Sequence, residues 1–106
     1  MDLDKKTVVS VIRHFKKALE KRGIKESKII LYGSWLKGEN REESDIDLIV
    51  LSDDFSGKSF WERTEILASA ILEVFEPIEA IAMTFEEWEK GDSPIISYAG
   101  NGEIIQ

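Results

Sequence analysis

The sequence predicts an α/β (α+β) domain built on a small mixed β-sheet with helices packed on one face. Three observations point there. Short apolar runs, Ile29-Ile30-Leu31, Ile46–Leu51 and Ile78–Met83, have strand length and are bounded by polar residues, glycine or proline. Helix-period segments precede, separate and follow them, the alternation expected of a sheet covered by helices. The chain has 106 residues, enough for one core and little more. Residues 1–106 are therefore expected to form a single domain.

The elements follow in order. Lys5 to Arg22 reads as an amphipathic helix, because Val8, Val11, Ile12, Phe15 and Leu19 recur on one 3.6-residue face. Asp4 is its expected N-cap and Gly23 its stop. His14 falls off the stripe and reads as a surface residue. Lys28–Tyr32 is a buried strand. Gly33-Ser34 opens a turn into a short helix near Trp35–Lys37, and a polar loop follows from Gly38 to Ser44. Ile46–Leu51 is a second buried strand, and Asp53-Asp54 form a turn after it. Ser59 to Glu76 is a helix whose apolar face is read as Phe60, Ile66, Leu67, Ala70, Ile71, Val74 and Phe75. Pro77 cannot continue it. Ile78–Met83 is a third strand. Thr84 to Glu87 has the spacing of a capping box for a helix that Gly91 stops. Ser93 and Pro94 open another short helix to Tyr98, and Glu103–Ile105 is a short last strand. Trp61 and Trp88 read as core or subunit contacts.

Composition narrows the function classes. Cysteine is absent, which rules out a disulfide framework or thiolate metal site within the sequence and suits a reducing cytoplasm. No apolar run approaches the roughly 20 residues of a membrane helix. The formal net charge of −7 disfavours direct binding to nucleic-acid phosphates. An anionic nucleotide approaching such a protein calls for a divalent cation between them.

The residues that carry chemistry are Gly33-Ser34-Trp35-Leu36-Lys37-Gly38 and Ser44-Asp45-Ile46-Asp47-Leu48-Ile49-Val50. Asp45 and Asp47 stand two apart at the start of a strand, so their side chains share a face. Two adjacent carboxylates repel unless a cation lies between them. Mg²⁺ takes such a pair together with water and substrate phosphates. Taken alone, Asp-x-Asp more often marks two solvated acids. Gly33-Ser34, after a buried strand and before a helical turn, has the form of a phosphate cradle: glycine admits close approach, and backbone N–H groups and the Ser34 hydroxyl donate. Its bland reading is a turn with Ser34 as a helix cap. Lys37 is a candidate point charge for a phosphate, next to Gly38.

Together these stretches resemble the DNA-polymerase-β-like nucleotidyltransferase superfamily, and most closely its stand-alone minimal nucleotidyltransferase domains. The resemblance covers Gly33 to Val50 in detail, and the order of elements extends it along nearly the whole chain. It implies the polymerase-β palm-like fold and transfer of a nucleoside monophosphate, AMP from ATP, with two Mg²⁺ ions. By the same resemblance Gly33, Ser34, Lys37 and Gly38 hold the triphosphate. Asp45 and Asp47 hold the metals, and Ser44 supports the loop before them. A third carboxylate is implied on the neighbouring strand, and Glu79 matches its place five residues before Thr84. The family more often has aspartate there. Glu79 has a plain alternative as a strand-edge acid facing water.

Minimal domains of this family commonly occur beside a HEPN-domain protein, a helical ribonuclease-like toxin. The resemblance therefore implies an antitoxin role, with AMP attached to the HEPN partner or with the partner neutralised by occlusion alone. The sequence is expected to leave no room for an acceptor-binding domain, so the acceptor comes from another polypeptide. A small-molecule acceptor would need a homo-oligomer to form its pocket.

Overall fold

β1 (Lys28–Tyr32), β2 (Ile46–Leu51), β3 (Ile78–Met83) and β4 (Glu103–Ile105) form one sheet in the order β3-β2-β1-β4. The computed structural model describes residues 5–33, 46–91 and 102–105. α1 (Lys5–Glu20) precedes the sheet, α2 (Phe60–Val74) links β2 to β3, and α3 (Phe85–Lys90) follows β3. β1 runs antiparallel to both β2 and β4, whereas β2 and β3 are parallel. The parallel pair needs a crossover, and α2 supplies it. The expected mixed sheet and the expected bounds of all four strands stand. The helical turn at 35–37, the cap at Asp4 and the short helix at 94–98 fall outside the described residues.

β2 lies inside the sheet and is buried on both faces, which explains its unbroken apolar run. Ile46, Leu48 and Val50 face the main core with Ile29, Leu31 and Ile78. α1 adds Val8, Val11, Ile12, Phe15, Ala18 and Leu19 to that core, and α2 adds Leu67 and Ala70. Ile49 and Leu51 face the other way, into a smaller cluster with Ile30, Tyr32 and Met83. Phe85 and Trp88 of α3 pack against that second cluster, so α1 and α2 cover one face and α3 reaches the other.

Local chemistry sets the element ends. Gly23 takes φ +93° after α1, and the Ile24 N–H folds back to donate to the Leu19 carbonyl at 3.0 Å. Arg22 then ties α1 to α2: it donates to the Ala18 carbonyl at 2.8 Å, to Ser69 Oγ at 2.9 Å and to Glu73 Oε1 at 2.9 Å. The expected turn at Asp53-Asp54 is a 3-10 helix, Asp53–Phe55. Asp54 Oδ2 accepts from the Lys25 N–H at 2.8 Å and the Glu26 N–H at 3.3 Å, which pins this segment to the loop before β1. Ser59 and Glu62 form a capping box at the start of α2, and Thr84 and Glu87 form the expected one at α3.

α2 departs from expectation at its ends. It stops at Val74, because Phe75 adopts the left-handed conformation (φ 59°, ψ 46°) and caps the helix through its N–H to the Ile71 carbonyl, 2.8 Å. Phe60 and Phe75 were expected on the inward face, yet they are 65% and 86% exposed. Phe60 falls on the Leu67 side of the helix, seven residues before it, but as the first helical residue it stays outside the core cluster, and Phe75, at the left-handed cap, also lies outside it. Trp61 is 76% exposed and is not a core residue, whereas Trp88 is partly buried.

Candidate active site

Three strands align one residue each to build the described part of the site. Tyr32 ends β1, Asp47 is the second residue of β2, and Glu79 is the second residue of β3. The register pairs Tyr32 with Asp47 across β1 and β2, and Asp47 with Glu79 across β2 and β3. Ile46 and Ile78 point into the main core, so strand alternation turns Asp47 and Glu79 to the opposite face. That face also holds the buried Tyr32 ring. Adjacent strands lie about 4.8 Å apart, which makes the two carboxylates lateral neighbours. Asp47 is half-buried and Glu79 is exposed.

Gly33 closes the site on the β1 side. Its φ is +77°, a region that side chains rarely occupy. A Cβ built there would lie 3.1 Å from Asp47 Cγ and overlap Asp47 Oδ2. The Asp47 carboxylate thus rests directly against the turn backbone, in space that only glycine leaves open. In the sequence, glycine at 33 is expected to admit close approach by a phosphate. The structure adds a second demand, from the protein's own carboxylate.

Of the expected site residues, the structure brings Gly33, Asp47 and Glu79 together. Ser34, Lys37, Gly38, Ser44 and Asp45 lie outside the described residues. Among the described residues no group of three or more Asp, Glu or His side chains gathers in a metal-binding arrangement. Asp47 and Glu79 make a pair. Their donor chemistry fits Mg²⁺, since both offer hard carboxylate oxygens and like charges facing each other across a sheet are relieved by a divalent cation.

Tyr32 was not anticipated in this row. Its only sequence signal was its place at the end of a strand, because a long connection leaves the β1–β2 register uncountable. A cleft of 460 Å³ was also unanticipated. It lies between α2 and the later part of β3, lined by Lys58, Phe60, Arg63, Leu67 and Ala80 to Ala82, and it includes neither Asp47 nor Glu79.

Residues 12–99 match the nucleotidyltransferase domain family, and the chain belongs to it. A Methanocaldococcus jannaschii protein named "putative protein adenylyltransferase" is 38% identical over 60 residues. That match spans 57% of this chain and 59% of the relative. A crystal structure of a "putative nucleotidyltransferase" from Sulfolobus solfataricus superposes with a TM-score of 0.54 at 19% identity, covering 85% of this chain and 84% of that one. At that identity the likeness speaks for the fold alone.

Proposed function

We propose that residues 1–106 act as a minimal nucleotidyltransferase domain that moves AMP from ATP to a hydroxyl on a partner polypeptide. The carrying observation is the Asp47–Glu79 register pair, with Asp47 packed against Gly33, in a chain of the nucleotidyltransferase family. The printed name of the Methanocaldococcus relative supports a protein acceptor.

In this reading Gly33, Ser34, Lys37 and Gly38 hold the triphosphate, and Ser44 steadies the loop that presents Asp45. Asp45, Asp47 and Glu79 would hold Mg²⁺. When bound, Mg²⁺ supplies positive charge against the carboxylates and the polyphosphate. Glu79, exposed at the sheet edge, takes the proton from the acceptor hydroxyl. The acceptor oxygen bonds to the α-phosphorus, the bond from the α-phosphorus to the bridging oxygen breaks, and pyrophosphate leaves with that electron pair.

The partner is assigned as a HEPN-domain protein in the cytoplasm, with this chain as its antitoxin, on the resemblance of the Gly33–Val50 stretch. Among the described residues no helix is long and apolar enough to cross a membrane. A second reading, neutralisation by occlusion, is favoured by glutamate at position 79 where aspartate is usual. ATP labelled at the α-phosphate, incubated with the HEPN partner, separates the two readings. Transfer predicts label on the partner from α-labelled but not γ-labelled ATP, and none with Asp45→Asn plus Asp47→Asn. Label that persists in the double variant contradicts the site. A double variant that suppresses the partner fully supports occlusion.

A further inference from the structure

Among the described residues β3 is an edge strand, because the sheet order β3-β2-β1-β4 leaves it no second neighbour. Two hydrogen bonds show which of its backbone groups face outward. The Pro77 and Met83 carbonyls accept from the N–H groups of Ile46 and Ser52, at 2.7 and 2.9 Å. Backbone groups alternate along a strand, so the odd-numbered residues bond toward β2 while Ile78, Ala80 and Ala82 point away from it. The Ile78 N–H is taken by the Glu76 carbonyl at 2.8 Å. The N–H and C=O groups of Ala80 and Ala82 have no partner among the described residues. β4, at the other edge, has only three residues, and a short edge strand resists further pairing. β3 has six, and its Ala80-Ile81-Ala82 stretch carries neither charge nor proline.

Side chains alternate along the same strand. Ile78, Ala80 and Ala82 lie on the α2 side with the main core, and Ile81 and Met83 lie on the Glu79 side with the smaller cluster. In register with Ala80 and Ala82, β2 has the larger Leu48 and Val50. Alanine at the edge leaves that space unfilled, and the 460 Å³ cleft opens there, against Phe60, Thr64 and Leu67 of α2. A strand added to β3 would thus send alternate side chains to two places, into the cleft and beside Glu79 on the opposite face. These features choose the occupant. Outward N–H and C=O groups spaced along a strand are matched by another extended chain. A second copy of this chain would bring its own Ala80 and Ala82, too small for the cleft, or Ile78, which is buried in its own core. It would also bring a second net charge of −7.

We infer that an extended segment of the acceptor polypeptide adds antiparallel to the edge of β3, with a hydroxyl residue opposite Glu79 and bulky apolar residues opposite Ala80 and Ala82. Along that segment the order is apolar, any residue, apolar, hydroxyl. Main-chain bonds to Ala80 and Ala82 supply affinity, and the cleft selects the apolar side chains. The residue opposite Glu79 takes a non-hydrogen-bonded position, where antiparallel Cα atoms come within about 4.5 Å and side chains are closest. Asp47 flanks Glu79 from β2, and the hydroxyl residue would flank it from the other side. A slip of one residue would turn the hydroxyl to the α2 side, away from Glu79. This rests on the transferase reading above and names the class of acceptor: serine, threonine or tyrosine in an extended segment of that pattern.

The probe is a fluorescein-labelled peptide of about ten residues, the length of a long strand. Its centre is leucine, valine, leucine and serine in that order, and its ends are polar and uncharged. Anisotropy titration is expected to show a Kd below about 1 mM. N-methylation of the two leucine amides, which would face β3, should weaken binding at least about tenfold, and N-methylation of the valine amide, which would face away, by less than about twofold. Alanine in place of both leucines should weaken it by about tenfold or more. Ala82→Pro should leave the thermal unfolding midpoint near that of the wild type, because proline fits an edge position whose N–H points outward, and should still weaken binding. Amide exchange followed by NMR needs no variant: the Ala80 and Ala82 N–H groups should exchange fast in the free chain and slowly with peptide, and that of Ile81 slowly in both. Binding with this amide pattern supports the inference whether or not label moves from α-labelled ATP to the peptide serine; missing label would count against the transferase reading alone. No binding, or equal loss from the two methylation patterns, would overturn the inference. So would Ala80 and Ala82 amides already protected in the free chain, which would mean that a second copy or the chain itself covers the edge.

Discussion

At Gly33 the left-handed backbone and the neighbouring Asp47 carboxylate act on the same atom position, so Gly33→Ala carries two penalties. The added methyl is strained at φ +77° and displaces the Asp47 side chain. Urea unfolding should show a loss of about 1–3 kcal/mol, and AMP transfer should fall even where the fold persists. Unchanged stability and activity would mean that the turn is not where the structure places it. Glu79 behaves differently because it is exposed. Glu79→Gln should move stability by no more than about 0.5 kcal/mol while abolishing transfer. Wild-type activity in that variant would leave Glu79 as a solvated edge acid. Asp47 and Glu79 were both legible in the sequence from Asp-x-Asp and from the one acid inside the third strand. Their direct pairing was not legible, since a parallel register is set by the sheet and not by either strand alone.

Among the elements, β1, β2 and β3 were readable to the residue because each is a short apolar run with polar or proline ends. α2 was readable as a helix but not in its orientation. Phe60, Trp61, Ile66, Leu67, Ala68, Ile71, Leu72 and Phe75 spread apolar groups over all of the circumference but the sector of Glu62, Glu65, Ser69 and Glu73, so periodicity alone cannot choose which part of that wide arc faces inward. Its far end was overextended for a related reason: Phe75 continues the apolar pattern, but the left-handed turn before Pro77 ends the helix. Ser59 and Glu62 have the same spacing in the sequence as Thr84 and Glu87. Both boxes make the same kind of contact, with Ser59 Oγ accepting from the Glu62 N–H and Thr84 Oγ1 from the Glu87 N–H, each at 3.1 Å. Ser59→Ala should therefore cost about 0.5–2 kcal/mol in denaturant unfolding. Thr84→Ala should cost at least as much, because Thr84 is buried. No change in either would contradict the caps.

Among the described residues, four acids across the molecule are held by specific partners. The Arg63 guanidinium holds the Glu87 carboxyl below its usual range, with help from the Thr84 N–H. Lys21 and then Arg22 do the same for Glu73. The backbone N–H groups of Glu26 and Lys25 lower Asp54, and that of Ser59 lowers Glu62. A depressed folded-state pKa stabilises the fold above the unfolded value and loses that contribution as pH falls through the folded value. Stability should thus be level near neutrality and decline as pH drops below about 4.5, with contacts between α1 and α2 and between α2 and α3 weakening together. Thermal unfolding followed from pH 7 to pH 3 checks this, and Glu87→Gln should flatten part of the acid limb. A midpoint that rises on acidification would show that general repulsion among the acids outweighs these specific partners.

The central claim is that Asp45, Asp47 and Glu79 surround cations opposite the Gly33-Ser34 turn. A crystal grown with a non-hydrolysable ATP analogue and Mn²⁺, read by anomalous scattering, tests it most directly. The account predicts manganese peaks within direct-ligand distance of the Asp47 and Glu79 carboxylates, with phosphate oxygens on the turn side. Nucleotide bound elsewhere, or no manganese peak between residues 47 and 79, would contradict it.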